Sequence, residues 1–438
     1  MSREFLDLAN PQELPDKMKN WFEPANLNTE QASLHNALDK VLAENIIAEE
    51  DLPPFSRSAV DGYAVRAEDT YGAGEAQPAY FTVNKKVEMG EKPDFSLAAG
   101  EAAEIATGAM LPQGADCCVK IEETERISPN KIEVMTDMAP GELVIKRGDD
   151  ITRGDVLLEK GDILRAQDIG TLSGLGMTQI QTYSSPEIAL LATGDEIIPP
   201  DQVKGPGEIR DINTPALRSL FSKWGLQVVE GGIVPDKKEQ LKKAIKENLA
   251  SDIIIISGGS SVGVRDFTID AIDELGEPGV LLHGIAVKPG KPTILGRIAE
   301  TPILGLPGNP ASAWLVSCLI MPALVRFLQN RGLPDKREIW QQSQTANLTS
   351  QVSSARGREE FIPVKFNHSS PELETEKDID YFHQVSPVLG KSNLITTLVE
   401  SQGYIHLGMG EEGLPKDSKV WVLPLDSRLG LLSIIGGE

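Results

Sequence analysis

The stretch "DIIIISGGSSVG", residues 252–263, decides the fold class. Its four consecutive isoleucines make a run that is apolar at every position, which is typical of a strand buried on both faces of a sheet. A helical segment, "KKEQLKKAIKENLAS", precedes the run, and another helix is predicted near "FTIDAIDELG". Because strands and helices alternate, the sequence predicts an α/β domain around a mainly parallel sheet.

The predicted strands share one property at their carboxyl ends. Each finishes in a polar loop that carries Gly or Asp, and these loops read "TGDE", "PD", "SGGSSVG", "KPGK" and "LPGNP". In an open α/β sheet the carboxyl ends of the strands line one edge, where ligands bind. The sequence therefore predicts that the five loops converge on one rim.

The whole chain is predicted to be a multidomain α/β and β protein, since 438 residues are too many for one compact core. The predicted domains are an elongated linking domain (21–50 plus 149–184), a β-rich inserted domain (51–148), the α/β domain (1–20 plus 185–333) and a small, β-barrel-like C-terminal domain (335–438).

Composition restricts the function. The chain has 42 basic and 65 acidic residues and a formal charge of −23, which argues against nucleic acid as a partner. Its three cysteines, Cys117, Cys118 and Cys318, form neither a disulfide framework nor a zinc site, and they fit a reducing compartment. Neither an apolar signal core nor a membrane-length apolar run is visible, so we expect a soluble cytoplasmic protein.

Two loops have the chemistry of anion binding. The glycines of "SGGSSVG" allow successive backbone N–H groups to point at an anion, although the loop could also be only a tight connection from strand to helix. In "LPGNPASAW", Asn309 can cap a helix whose first turn holds Pro310, and such a start directs N–H donors and the helix dipole toward a phosphate. A purely structural cap is the alternative.

Carboxylates follow several of the same strands. Glu196 comes after Asp195, Asp236 ends the next strand, and Asp266 follows the glycine loop. Several carboxylates beside phosphate-binding loops are suited to Mg²⁺, which prefers oxygen ligands and commonly bridges carboxylates to phosphates. Acidic residues that only begin helices would produce the same sequence pattern, and this alternative applies particularly to Asp236.

Six motifs, in this order, carry a resemblance to a known family: "PPFSRSAVDGYAVR", "TGAMLPQGAD", "LATGDEI", "SGGSSVGVRDF", "VKPGKP" and "LPGNPASAW". Together they resemble the MoeA family of molybdopterin molybdenumtransferases, which is related to the C-terminal part of gephyrin. The resemblance implies a molybdopterin-binding α/β domain and a homodimer of four-domain subunits, with a cleft between the α/β domain of one subunit and the inserted domain of the other. It also implies transfer of molybdate to adenylyl-molybdopterin, with Mg²⁺-dependent cleavage of the adenylate and release of AMP.

The resemblance also assigns residues. The implied catalytic residues are Asp61, Thr107, Glu196, Asp236, Asp266, Lys288 and Lys291, of which Glu196, Asp236 and Asp266 are the implied metal ligands. The implied substrate-binding residues are Asp150, Ser257, Gly258, Gly259, Ser260, Ser261, Gly263, Pro307, Gly308, Asn309, Pro310, Ser312, Arg358 and Ser392. The local match is loose, so either Arg356 or Arg358 could occupy the family's arginine position. Many relatives carry a basic residue where this chain has Gly284, beside His283, so His283 either takes that role or the site has lost a cation.

Two other functions stay open at this point. A non-catalytic scaffold or cofactor carrier is one, as the relationship to gephyrin permits, although the retained carboxylates argue against it. The other is the preceding adenylyltransferase, although the resemblance extends beyond the α/β domain. The implied partners are adenylyl-molybdopterin and molybdate, a second copy of the chain, and transiently the adenylyltransferase and apo-molybdoenzymes. The sequence does not distinguish a preference for molybdate from one for tungstate.

Overall fold

The computed structural model describes residues 8–22, 27–258, 264–329, 331–367, 383–388, 390 and 395–435, with the backbone alone for 264–266. The chain forms two compact units, residues 1–30 with 183–438 and residues 31–182. The finer division into four domains stays a prediction.

The helices and strands are numbered in chain order. The α-helices are α1 Leu14–Trp21, α2 Ala166–Gly174, α3 Asn213–Lys223, α4 Lys238–Glu247, α5 Val264–Asp273, α6 Pro310–Leu328, α7 Lys336–Gln341 and α8 Ile395–Glu400. The strands up to the unit boundary are β1 Thr29–Ser33, β2 Ile46–Ile47, β3 Arg57–Ser58, β4 Gly62–Val65, β5 Ala79–Val87, β6 Glu101–Ile105, β7 Cys117–Lys120, β8 Thr124–Ser128, β9 Lys131–Val134, β10 Val144–Ile145, β11 Val156–Leu158 and β12 Gln179–Tyr183.

The later strands belong to the larger unit. They are β13 Glu187–Thr193, β14 Ile197–Ile198, β15 Ile209–Arg210, β16 Gln227–Val234, β17 Ile253–Gly258, β18 Pro278–His283, β19 Val287–Lys288, β20 Ile294–Ile298, β21 Thr301–Leu306, β22 Gln344–Leu348, β23 Val352–Ser353, β24 Glu359–Asn367, β25 His383–Pro387, β26 Gly403–Leu407, β27 Gly413–Leu414 and β28 Lys419–Pro424.

A six-stranded sheet is the centre of the larger unit. Its order is β16-β13-β17-β21-β20-β18. The first four of these strands run parallel, whereas β20 is antiparallel to both of its neighbours. The mainly parallel sheet is therefore confirmed. Its parallel strands all end at the same edge, which is the edge that carries the first cavity described below.

The isoleucine run is buried on both faces, as predicted. Ile253 and Ile255 pack into one hydrophobic cluster, and Ile254 and Ile256 pack into another. Because successive side chains of a strand point to opposite faces, this division shows that apolar layers cover both sides of β17. All four isoleucines are at most 1% exposed.

Helix α6 is the main core helix of this unit. It is long and apolar enough to cross a membrane, but 83% of its most apolar 18-residue segment is buried inside the protein. Most of its buried apolar residues belong to the same hydrophobic cluster as Ile253 and Ile255. Burial against the sheet therefore accounts for its composition.

The C-terminal strands close into a small barrel, as predicted. Neighbouring strands pair in the order β24-β25-β22-β28-β26, and β26 pairs with β24 again. Strand β19, which lies in the chain between β18 and β20 of the α/β sheet, joins this barrel through a parallel pairing of Val287 with Glu359 and of Lys288 with Glu360. Lys288, the first residue of the "KPGKP" loop, is therefore paired with a strand of the barrel.

The smaller unit is rich in short strands. Its largest sheet has the order β7-β4-β6-β5-β9-β8. Alternate residues of β4 pack into separate clusters, with Tyr63 and Val65 in one and Ala64 in the other. The β-rich character predicted for this region is confirmed.

Candidate functional site

A cavity of about 420 Å³ lies at the carboxyl edge of the parallel strands. We call it the strand-end cavity. Four of the five polar loops predicted from the sequence contribute to it, namely those after β13, β16, β17 and β21. Its lining residues from these loops include Gly194, Glu196, Asp236, Ser257, Gly258, Gly308, Asn309 and Pro310.

Asn213 connects two walls of the strand-end cavity. Its Nδ2 donates to Ser257 Oγ at 2.9 Å and to the carbonyl oxygen of Gly308 at 2.9 Å. Asn213 is the first residue of α3 and is half-buried. The sequence does not predict this role of Asn213, because nothing in it shows which distant loops an amide will bridge.

We expect Asn213→Ala to lower the free energy of unfolding by about 1–3 kcal/mol, because the buried Ser257 hydroxyl and the half-buried Gly308 carbonyl lose this donor. Urea denaturation measures this change. Asn213→Asp keeps the shape but replaces the donor by a charged acceptor, so it should destabilise at least as much. An alanine variant as stable as the native chain would contradict the bridging role.

The carboxylates of the strand-end cavity crowd one another. The backbone N–H of Asp236 donates to Asp195 Oδ1 at 3.1 Å, while Asp236 Oδ1 is buried and has no hydrogen-bond partner among the residues that the structure describes. Burial raises the pKa of Asp236, and the negative charges of Asp195 and Glu196 raise the same pKa further. A carboxylate held in this way is energetically costly when ionised, unless a cation binds beside it.

This donor set fits Mg²⁺. Glu196 and Asp236 line the same cavity, and the orphaned Asp236 Oδ1 offers a hard oxygen ligand of the type that Mg²⁺ prefers. Among side chains that the structure describes, no group of three or more metal-ligating residues occurs. The side chain of Asp266, the third predicted ligand, lies outside that description.

Glycine is required where β17 ends. Gly258 has φ +117°, and a Cβ atom there would lie 2.2 Å from the backbone oxygen of Thr193. Only glycine allows the two neighbouring strands to approach this closely at this point. The rest of the loop, including Gly259, Ser260, Ser261 and Gly263, lies outside the described residues, so its anion-binding role stays a prediction.

The predicted helix start at "LPGNP" is confirmed, but the side-chain cap is wrong. Asn309 has the extended backbone of an N-cap residue, and Pro310 occupies the first turn of α6, yet the Asn309 side chain makes no capping hydrogen bond. The Asn309 carbonyl oxygen instead accepts from the N–H groups of Ser312 at 3.0 Å and Ala313 at 2.9 Å. Pro307 precedes this turn, directly after β21.

The fifth loop lines a different cavity. A cavity of about 800 Å³, here called the lysine cavity, is lined by Lys288, Lys291, Ser312, Arg358 and Glu360 together with apolar side chains of the barrel. The five loops therefore line two cavities and not one rim as expected. The pairing of β19 with β24 of the barrel is the reason. Asn309 lines both cavities.

The cations of the lysine cavity differ in their pairing. Lys288 Nζ lies 2.6 Å from Glu360 Oε1, whereas Lys291 and Arg358 form no ion pair with any residue in the described ranges. Arg356 pairs with Glu412 at 3.0 Å, and both side chains are largely exposed. The structure thus places Arg358, and not Arg356, in the cavity wall. Ser392 lies outside the described residues.

Comparisons with known proteins agree with this architecture. The family model "MoeA N-terminal region (domain I and II)" matches residues 11–176, and the model "Probable molybdopterin binding domain" matches residues 189–326. A molybdopterin biosynthesis protein of Methanocaldococcus jannaschii is 33% identical, with 90% of this chain and 92% of that protein covered. The chain belongs to the MoeA family.

Other MoeA relatives give the same result. A molybdopterin molybdenumtransferase of Nostoc is 34% identical, with 69% of this chain and 70% of that protein covered. The crystal structure of the MoeA protein from Pyrococcus horikoshii superposes with a TM-score of 0.78 at 35% identity, covering 96% of this chain and 99% of that one. The resemblance found in the motifs is confirmed, and curated relatives are named as enzymes of one transferase class.

The MoeA motifs of the smaller unit bring Asp61 and Thr107 together. The backbone N–H of Thr107 donates to Asp61 Oδ1 at 2.8 Å, and both residues are exposed. Gly62 follows with φ +157°, where a Cβ atom would lie 1.9 Å from the carbonyl oxygen of Val119. The "Asp-Gly" pair is therefore more than a simple turn, because Asp61 Oδ1 fixes the "ATGA" loop beside it.

Asp150 is the remaining predicted residue of the smaller unit. It is exposed and lines a pocket of about 370 Å³ with Asp149 and Arg57. His283 ends β18 opposite Ile294 and is not among the residues that line the lysine cavity. The role expected for His283 in place of a basic residue at Gly284 stays a prediction.

Proposed function

We propose that the chain is the transferase that inserts molybdate into adenylyl-molybdopterin, cleaving the adenylate in a Mg²⁺-dependent step and releasing AMP. The observation that carries this proposal is the strand-end cavity. It combines the carboxylates Glu196 and Asp236 with the loop at Gly258 and the N-terminal turn of α6, which together meet the requirements of a magnesium-bound phosphoanhydride.

Each part of the strand-end cavity has a chemical task under this proposal. Glu196 and Asp236, with Asp266, would hold Mg²⁺, which supplies charge neutralisation at the phosphate oxygens when it is bound. Ser257 and the backbone at Gly258 and Gly308 would orient the substrate's phosphates, and Asn213 joins these two loops by hydrogen bonds. The orphaned Oδ1 of Asp236 supports the assignment to the metal.

The lysine cavity is proposed to hold molybdate. Lys291 and Arg358 line it without an internal counter-ion in the described chain, and Ser312 adds a hydroxyl. A cation about 4 Å from an anionic oxygen contributes up to about 4 kcal/mol at an effective dielectric constant near 20, before desolvation. The net charge of −23 does not prevent this binding, because charges more than about 8 Å away are largely screened at physiological salt.

The active protein is proposed to be a cytoplasmic homodimer in which Asp61 and Thr107 of one subunit complete the strand-end cavity of the other. The exposure of both residues and the hydrogen bond between them are compatible with a role in binding that a second subunit completes. The scaffold alternative has no comparable use for two paired, exposed groups or for an orphaned carboxylate.

The experiment that tests the proposal is release of AMP by the purified chain. With adenylyl-molybdopterin, molybdate and Mg²⁺, we expect AMP and metal-loaded cofactor to form together, and omission of Mg²⁺ or molybdate should stop both. A chain that binds the nucleotide but releases no AMP under conditions where a reference enzyme of the family does so would contradict the transferase and favour the scaffold.

A further inference from the structure

The lysine cavity contains a fixed negative charge that an anion site does not obviously need. Glu360 lines this cavity and is only 7% exposed. Its Oε1 lies 2.6 Å from Lys288 Nζ, and its Oε2 accepts a hydrogen bond from Ser354 Oγ at 2.6 Å. Both carboxylate oxygens of Glu360 therefore have a partner, one an ammonium and the other a hydroxyl.

The backbone holds this ion pair in place. Lys288 lies directly opposite Glu360 in the parallel pairing of β19 with β24. The two side chains therefore start from neighbouring strands and meet at the cavity wall. The side chain of Lys288 is 47% exposed, whereas the side chain of Glu360 is only 9% exposed. The carboxylate therefore cannot turn away to solvent if the lysine is lost.

We propose that Lys288 acts on the bound oxyanion mainly by neutralising Glu360, and that Glu360 is a positioning residue that limits the affinity of the cavity. The direct cations are then Lys291 and Arg358, which have no ion-pair partner within the described chain. This inference rests on the proposed function, since it takes molybdate as the oxyanion in the lysine cavity.

The charges lead to an unusual expectation for the single variants. Removing the Lys288 charge leaves an unpaired, buried carboxylate beside the anion, and like charges at short range repel strongly when they are shielded from water. Removing the Glu360 charge instead frees the Lys288 ammonium to face the anion. The two substitutions should therefore change molybdate affinity in opposite directions.

Isothermal titration of molybdate into the full-length chain tests this inference directly. Relative to the native chain, we expect Glu360→Gln to bind about tenfold more tightly and Lys288→Gln to bind at least about tenfold more weakly. The double variant, Lys288→Gln with Glu360→Gln, should return to within about threefold of the native affinity, because the pair then carries no charge and its amides can still form a hydrogen bond.

The outcomes separate the inference from the proposed function. Weaker binding by Glu360→Gln, or a double variant as weak as Lys288→Gln, would overturn the inference and make Lys288 a direct contact. If Lys288→Gln does not fold, the other two variants still decide, with thermal unfolding as the control for integrity. A native chain that binds no molybdate would overturn the assignment of the cavity itself, whereas native binding and AMP release with the wrong variant pattern would overturn the inference alone.

Discussion

Asp236→Asn is expected to reduce the rate of AMP release at least about a hundredfold while leaving the fold intact. The substitution keeps the shape of the side chain but removes the charge that the orphaned Oδ1 would offer to Mg²⁺. Glu239→Gln is the matched control, because Glu239 lies three residues further along the chain and is 77% exposed. Its activity should equal that of the native chain.

The same variant should be at least as stable as the native chain. The pKa of Asp236 is raised in the folded state, chiefly by burial and then by Asp195, from an ordinary value of 3.8. A carboxyl group with a raised pKa favours folding most below pH 3.8, and that contribution is lost as the pH rises through the folded-state pKa. At neutral pH the ionised Asp236 therefore lowers the free energy of unfolding, and substitution by asparagine removes this unfavourable contribution.

Chemical denaturation of Asp236→Asn and of the native chain at pH 7, without Mg²⁺, measures this difference. A variant that loses both stability and activity would indicate a structural role for Asp236. A variant that keeps full activity would exclude Asp236 from the reaction.

Arg358→Gln is expected to weaken molybdate binding by about tenfold to a hundredfold, because a hydrogen bond to a charged group contributes about 1.5–3 kcal/mol. Arg358 lines the lysine cavity and has no ion-pair partner in the described ranges, so its guanidinium is available to an anion. Molybdate titration measures the change.

Arg356→Gln is the matched control for that variant. Arg356 lies two residues away and pairs with Glu412, with side-chain exposures of 71% and 70%. An exposed pair of this type contributes about 0–1 kcal/mol to stability, and we expect no change in molybdate affinity. Equal effects of the two substitutions would mean that general surface charge, rather than the cavity, attracts the anion.

Much of the fold was predictable because its signals are local. The run at 253–256 is apolar at every position, which requires burial on both faces and therefore helices on both sides of a parallel sheet. Polar residues directly after such strands must lie at the same edge, so Glu196 and Asp236 were correctly expected close together. The start of α6 was also readable, since Pro310 favours the first helical turn.

The parts that were missed depend on contacts between distant residues. The bridge from Asn213 to Ser257 and Gly308 joins segments that are far apart in the sequence. The pairing of Lys288 with Glu360 depends on the register of β19 against β24. The same pairing removes the "KPGKP" loop from the rim on which the sequence placed it.

By itself the sequence determined the α/β core, the barrel-like end, the family and the identity of the chemistry-bearing side chains, because these follow from local periodicity and from motifs in a constant order. Only the tertiary structure decided that the site has two cavities, that Asn309 lines both, and that Lys288 faces a buried carboxylate. Strand register and side-chain burial set these features, and both are determined when separate parts of the chain pack together.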